Sequence, residues 1–296
     1  MNNAMNKQPF SFISEDATVV GDLYVPDGPV RAISVVTGPL TSVKEQAAGT
    51  YAAALAERGY AALAFDYRHF GESGGEPRQL EDPEENITDI RNAVTALANV
   101  PALADLPAYG VGVCFGAGPM AVAVSRDARF HGFAGVAGVY TDQAETQATM
   151  GSAYDAVVGR GRTAEKAWRE NSETETIPAV APDGGDVAMP LREAYEFYGT
   201  ARGAVPNYTN GFAVASYAHL LPFDAQGAAD NLSMPVAIVH SETALAPDLA
   251  HRFFARLPGP KDELWLTSQG QIDFYDDPAL VSAAADRVVA TFALAT

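Results

Sequence analysis

Short, continuous apolar runs alternate with helix-periodic segments along most of the 296 residues. Residues 60–65, YAALAF, form an unbroken apolar run. This is the composition of a strand covered on both faces. Residues 31–36, 109–113, 132–140, 235–240 and 263–267 read as further strands. Between them, residues 43–58, 85–100, 115–125, 249–257 and 279–294 carry helical patterns. In residues 85–100, Ile87, Ile90, Val94 and Leu97 share one helical face. Residues 10–13 and 18–25, the latter followed by Pro26-Asp27-Gly28, read as an opening antiparallel pair. Strands alternating with helices require a mostly parallel, doubly wound α/β sheet with helices on both faces.

One segment breaks the rhythm. Residues 141–224 hold no convincing strand, but they contain Trp168, Tyr195, Phe197, Tyr198, Tyr208 and Tyr217 among Gly and Pro. They read as a helical cap inserted into a core made of residues 1–140 and 225–296. A small second domain away from the site is the alternative.

Charge narrows the partners. Lys and Arg number 19 against 37 Asp and Glu, a net charge of −18. Such a surface repels phosphate backbones and anionic headgroups. A small-molecule substrate is expected, with no nucleic acid and no membrane as partner. A homodimer is compatible with the sequence, which does not fix the oligomeric state. A single cysteine allows no disulfide within the chain. Residues 1–10 are polar and lack a signal-peptide core, and no run reaches the roughly 18 apolar residues of a membrane span. A cytoplasmic location is the expectation. No His and carboxylate spacing suits a metal, so no metal and no cofactor are expected.

The chemistry centres on residues 110–118, GVGVCFGAG. A strand enters, small residues crowd a turn, and a helix leaves. Gly112 and Gly116 flank Cys114 as G-x-C-x-G, the spacing of a nucleophile elbow with Cys in place of Ser. Larger side chains two residues away would collide with the adjoining strand and helix. The helix N-terminus would favour a thiolate and a developing oxyanion. Two other readings stand beside this one. Cys114 could be a plain core residue. The glycines could form a dinucleotide loop, but the third glycine comes one position late for G-x-G-x-x-G.

Two further turns follow strands: residues 37–41, TGPLT, and residues 66–73, DYRHFGES. With the elbow, they resemble the α/β-hydrolase superfamily. Residues 67–77, YRHFGESGGEP, are similar to the bacterial hydrolases related to dienelactone hydrolase and to cap-bearing esterases. The resemblance implies a nucleophile at Cys114, as the dienelactone hydrolases use cysteine, and an α/β-hydrolase-type sheet carrying a cap. It also implies an acid after a late strand and a histidine after the last. Glu242 is the nearest carboxylate in the first place, with Asp248 a weaker choice. Gln271 occupies the second. An amide accepts no proton at neutral pH, so Gln271 is not a general base. Thr37 replaces the usual histidine of the oxyanion turn, and Pro39 has no N–H. The expected oxyanion donors are therefore the amides of Leu40 and Phe115.

His69 is the best spare base and His219 the next. Tyr140, Tyr217 and His219 are the expected substrate contacts, toward an apolar or aromatic ligand. The reading is acyl chemistry on an ester, lactone or thioester through Cys114. Deacylation would use Glu242 through water, or His69, or a nucleophile within the substrate. The alternatives are a retooled, non-hydrolytic enzyme in the same pocket, such as a cyclase, dehydratase or isomerase, or a protein that only binds.

Overall fold

The computed structural model describes residues 5–295. The opening pair is β1 (Met5–Ser14) and β2 (Ala17–Pro26), antiparallel as expected. Strands β3 (Ala32–Thr37), β4 (Tyr60–Phe65) and β5 (Ala108–Val113) are buried at every position, which explains their lack of polar alternation. After them come β6 (Phe130–Val136), β7 (Thr176–Ile177), β8 (Phe212–Ala213), β9 (Val236–His240) and β10 (Lys261–Trp265). Eight strands form one sheet, in the order β1-β2-β4-β3-β5-β6-β9-β10. Every pairing from β4 to β10 across that sheet is parallel.

The helices are α1 (Ala47–Ala56), α2 (Pro83–Ala98), α3 (Ala117–Ser125), α4 (Gln143–Met150), α5 (Ala153–Asn171), α6 (Arg192–Tyr198), α7 (Tyr217–Leu220), α8 (Pro247–Arg256), α9 (Asp273–Asp276) and α10 (Pro278–Phe292). Helix α1 contacts α10, and α2 contacts α3, so the sheet is covered by two separate groups of helices. Helix α2 begins where its sequence dictates. The Asp82 side chain accepts from the Glu84 amide at 2.9 Å, Pro83 takes the first position, and Glu84 and Glu85 lie in the first turn.

Some boundaries differ from the sequence reading, each for a tertiary reason. Helix α1 starts at Ala47, not at residue 43. Before it, Gln46 Oε1 accepts from the Val43 amide at 3.0 Å, and Lys44 turns into an ion pair with Asp66. Strand β6 stops at Val136, not at residue 140. Ala137 adopts φ +42°, and Tyr140 folds back to stack on Phe253. The inserted segment, expected to lack strands, holds the two-stranded sheet β7–β8 beside α4 to α7. Its residues Val180, Ala194, Phe197 and Tyr198 join the main hydrophobic core.

The membrane expectation also needs correction. Residues Pro278–Ala295 are long and apolar enough to cross a bilayer by length and composition. In the fold, α10 buries Val281, Ala284, Ala285, Val288 and Phe292 in contact with β6, β9 and α1. Core packing accounts for the buried third of the stretch.

From β3 the chain passes to β4 on one side, then crosses back to β5 on the other. The carboxyl ends of β3 and β5 therefore flank the point where strand order reverses, the usual place for a ligand crevice in an open α/β sheet. The turns at residues 37–41 and 114–116 lie there.

Candidate active site

Cys114 sits on the turn leaving β5 with φ +55°, a conformation an L-residue adopts only when its surroundings impose it. The surroundings are tight. A Cβ on Gly112 would overlap Ala117, and one on Gly116 would overlap the Gly38 carbonyl. Glycine is thus required on both sides of the cysteine. The expected helix start is a 3-10 turn, Cys114–Gly116, running into α3. Thr37 Oγ1 donates to the Gly116 carbonyl at 3.1 Å, pinning the turn after β3 against the elbow.

The thiol is 6% exposed. Burial pushes its pKa up from the ordinary value. The Tyr275 hydroxyl, the Phe115 amide and the Gln271 carboxamide oppose this, and the Glu193 carboxylate adds to the rise. Desolvation thus works against the thiolate that the helix terminus would favour. The sulfur is nonetheless faced by polar groups. The Phe115 amide lies beside it as expected. The Leu40 amide makes no hydrogen bond among the described residues.

Gln271 is 1% exposed and held on every side. Its Nε2 donates to the Ala137 carbonyl at 2.8 Å and toward the Tyr275 hydroxyl at 3.5 Å. Its Oε1 accepts from the Leu245 amide at 2.9 Å. Its backbone amide donates to Glu193 Oε2 at 3.0 Å. Gln271 therefore stands beside the thiol in one fixed orientation.

Other sequence candidates lie elsewhere. Glu242 points outward and pairs with His251 Nε2 at 3.0 Å, while His251 stacks on Trp265. In the loop after β9, Thr243 Oγ1 donates to the Ser268 carbonyl at 2.8 Å and lies 2.9 Å from Ser241 Oγ. Asp248 is exposed in the first turn of α8. His69 Nε2 pairs with Glu85 at 2.7 Å. His219 reaches Asp82 at 3.0 Å and Glu165 at 3.4 Å. Both histidines line an acidic cavity of about 230 Å³ between core and cap, with Trp168. Neither is among the groups that act on the thiol. Tyr140 is fully buried against Phe253, a core position, and Tyr217 packs on Phe212 within the cap. The expected substrate contacts are thus packing or ion-pair residues.

The residues that do surround Cys114 were missed. Tyr275 follows Gln271 by four residues on α9, and Glu193 and Tyr198 come from α6 of the cap. The aromatic composition of residues 192–198, REAYEFY, was a signal for a roof but not for these particular side chains. The Asp66 loop is structural. Asp66 accepts from the Lys44 and Glu72 amides at 2.7 and 2.9 Å and pairs with Lys44 Nζ at 3.1 Å, and a Cβ on Gly71 would strike its carboxylate.

No family model matches the chain. It is similar to the uncharacterized protein YcjY of Escherichia coli strain K12, at 30% identity over 84% of either chain. It is also similar to the polyketide transferase claH of Penicillium crustosum, at 26% identity over 78% of this chain and 77% of that one. The crystal structure of the α/β hydrolase GrgF from Penicillium sp. sh18 superposes with a TM-score of 0.79 at 21% identity, covering 97% of this chain and 99% of that chain.

Proposed function

Because the chain belongs to the α/β-hydrolase superfamily, we propose that it is an acyl-transfer enzyme that carries the acyl group on Cys114. The single observation behind this reading is the strained thiol at φ +55°, flanked by obligatory glycines and placed beside the Phe115 amide. Backbone strain of this kind is kept where it aims a reacting group. The relative named as a polyketide transferase supports an acyl substrate.

The missing histidine shapes the mechanism. Attack runs through the small thiolate fraction of Cys114, which suits an activated acyl group whose departing thiolate takes up the proton. A thioester qualifies. The Cys114 sulfur adds to the carbonyl, and the oxyanion is held by the Phe115 and Leu40 amides. Collapse breaks the bond to the leaving sulfur, which departs with the proton that Cys114 gives up. The acyl-enzyme is then released by an acceptor thiol, whose proton returns to the Cys114 sulfur. Water and alcohols are poor acceptors here, because Gln271 cannot deprotonate them. Transfer or cyclisation onto a thiol, which ionises far more readily, is therefore favoured over hydrolysis.

Incubation with N-acetylcysteamine thioesters, followed by intact-mass measurement, tests this. A persistent acyl adduct, released faster by added thiol than by water, is the expected result. Cys114→Ala should take no adduct and lose at least about 10³-fold in transfer rate. Full activity in Cys114→Ala would rule out covalent catalysis. Ligand stabilisation without turnover on any acyl compound would assign the site to binding alone.

A further inference from the structure

Four buried hydroxyls, of which that of Tyr198 interacts with the thiol, have no hydrogen-bond partner: those of Thr41, Tyr67, Tyr198 and Tyr208. Buried polar groups are almost always paired, so four in one neighbourhood need an explanation. They are neighbours. The Tyr198 and Tyr208 rings stack with centroids 5.3 Å apart. The Tyr208 hydroxyl faces Thr41, and the Tyr67 hydroxyl faces Thr37, without either closing a bond to it in good geometry. Tyr198 interacts electrostatically with Cys114, and its neighbour Phe197 packs edge-on to Tyr275, whose hydroxyl acts on the sulfur. Two of the four come from the core, on the turns that follow β3 and β4. The other two come from the cap.

Glu81 borders the same set. The Thr41 amide donates to its Oε2 at 3.4 Å, and Asn86 Nδ2 donates to Oε1. Tyr67 feels its charge. Burial pushes the carboxyl up to about 7, so that near neutrality it exists partly as a hydrogen-bond donor.

Resting on the acyl-transfer reading, we propose that Thr41, Tyr67, Tyr198 and Tyr208 form the acyl-chain subsite, and that the chain they accept is oxygenated, bearing hydroxyl or oxo groups near its thioester carbon. A plain alkyl chain would leave these hydroxyls buried and unpaired. A chain with oxygen atoms would satisfy them. Sites built to hydrogen-bond a substrate hydroxyl reject the analogue lacking it far more strongly than apolar pockets distinguish chain length. The aromatic faces of the same tyrosines take the carbon skeleton, which accommodates the apolar character expected from the sequence.

The test separates this inference from the role of Cys114. Binding is measured on Cys114→Ala protein with non-reactive amide analogues of octanoyl, β-hydroxyoctanoyl and β-oxo-octanoyl N-acetylcysteamine. At least one oxygenated chain should bind ten-fold or more tighter than octanoyl. Tyr67→Phe and Tyr208→Phe, each made in that protein, should cut this preference several-fold. The unliganded melting temperature should stay level or rise, since no protein hydrogen bond is lost. Equal binding of all three chains would overturn the inference. So would a fall in melting temperature with the preference intact, which would mark the hydroxyls as structural. Strong discrimination in binding, with no acyl adduct on the protein retaining Cys114, would sink the covalent reading and leave this one standing.

Discussion

Two polar regions lie at the same end of the sheet and are built on opposite plans. Under the turn at residues 66–73, the buried carboxylates of Asp66 and Asp89 are fully answered. Asp66 receives two amides and the Lys44 ammonium. Asp89 receives the Arg68 amide at 2.9 Å, its guanidinium at 2.7 and 2.9 Å, and the Ser14 hydroxyl at 2.5 Å. By contrast, the hydroxyls of Thr41, Tyr198 and Tyr208, and that of Tyr67 on the same turn, go unanswered. The difference separates scaffold from site. A saturated network fixes the loops. An unsaturated one keeps its hydrogen-bonding capacity for a ligand.

The largest effect should come from breaking the saturated side. Lys44→Met leaves the wholly buried Asp66 carboxylate without its cation and should lower stability by about 3–5 kcal/mol in denaturant melts. A loss under about 1 kcal/mol would mean the Lys44 and Glu72 amides satisfy Asp66 unaided.

Glu81 should give the next effect, and its sign is fixed by linkage. Its folded pKa, about 7, lies above the ordinary 4.5. The folded state therefore holds the proton more tightly. The contribution is complete below about pH 4.5 and is lost as pH rises to 7, after which it is flat. The shift corresponds to roughly 3 kcal/mol. Stability measured from pH 4.5 to 8 should show that decline, and Glu81→Gln should flatten it. An unchanged profile in Glu81→Gln would place the decline on another group.

Gln271→His tests whether the site is a hydrolase lacking only its base. A histidine beside the thiol should raise acylation by about ten- to hundred-fold near neutrality. The parent rate should instead keep climbing above pH 9, because burial has raised the thiol's pKa. No gain from the histidine would mean that its ring cannot take the place of an amide tied to Ala137 and Leu245. The smallest effect belongs to the unsaturated side. Tyr67→Phe and Tyr208→Phe should change the stability of the free protein by less than about 1 kcal/mol, in the stabilising direction or not at all. A clear destabilisation would erase the contrast between the two regions.

Much of the fold was legible because its signals are local. An unbroken apolar run such as residues 60–65 can only be a strand buried on both faces, and the match with β4 is complete. Helix α2 was legible from its apolar periodicity over residues 85–100, though its start lies two residues earlier, at Pro83. The G-x-C-x-G turn was legible for the same reason, since its glycines answer to steric demands within five residues. The partners of Cys114 were not. Glu242 looked like the acid because it is the first carboxylate after β9, yet its side chain turns outward to His251. His69 looked like a base because it follows β4, yet Glu85 on α2 takes its ring. Which way a loop side chain turns depends on what the next element offers it, and no local pattern carries that.

The amino-acid order alone therefore determined the layered sheet, the position of the elbow and the absence of a histidine where one would serve as base. Periodicity, turn sterics and residue identity act over a few neighbours. Folding in three dimensions decided the rest: that the thiol is desolvated, that Tyr275, Glu193 and Tyr198 act on it or it on them, and that the hydroxyls of Thr41, Tyr67, Tyr198 and Tyr208 are left unpaired. Burial and electrostatics sum over groups brought together from distant parts of the chain, and these sums exist only once the inserted residues 141–224 have packed against the core.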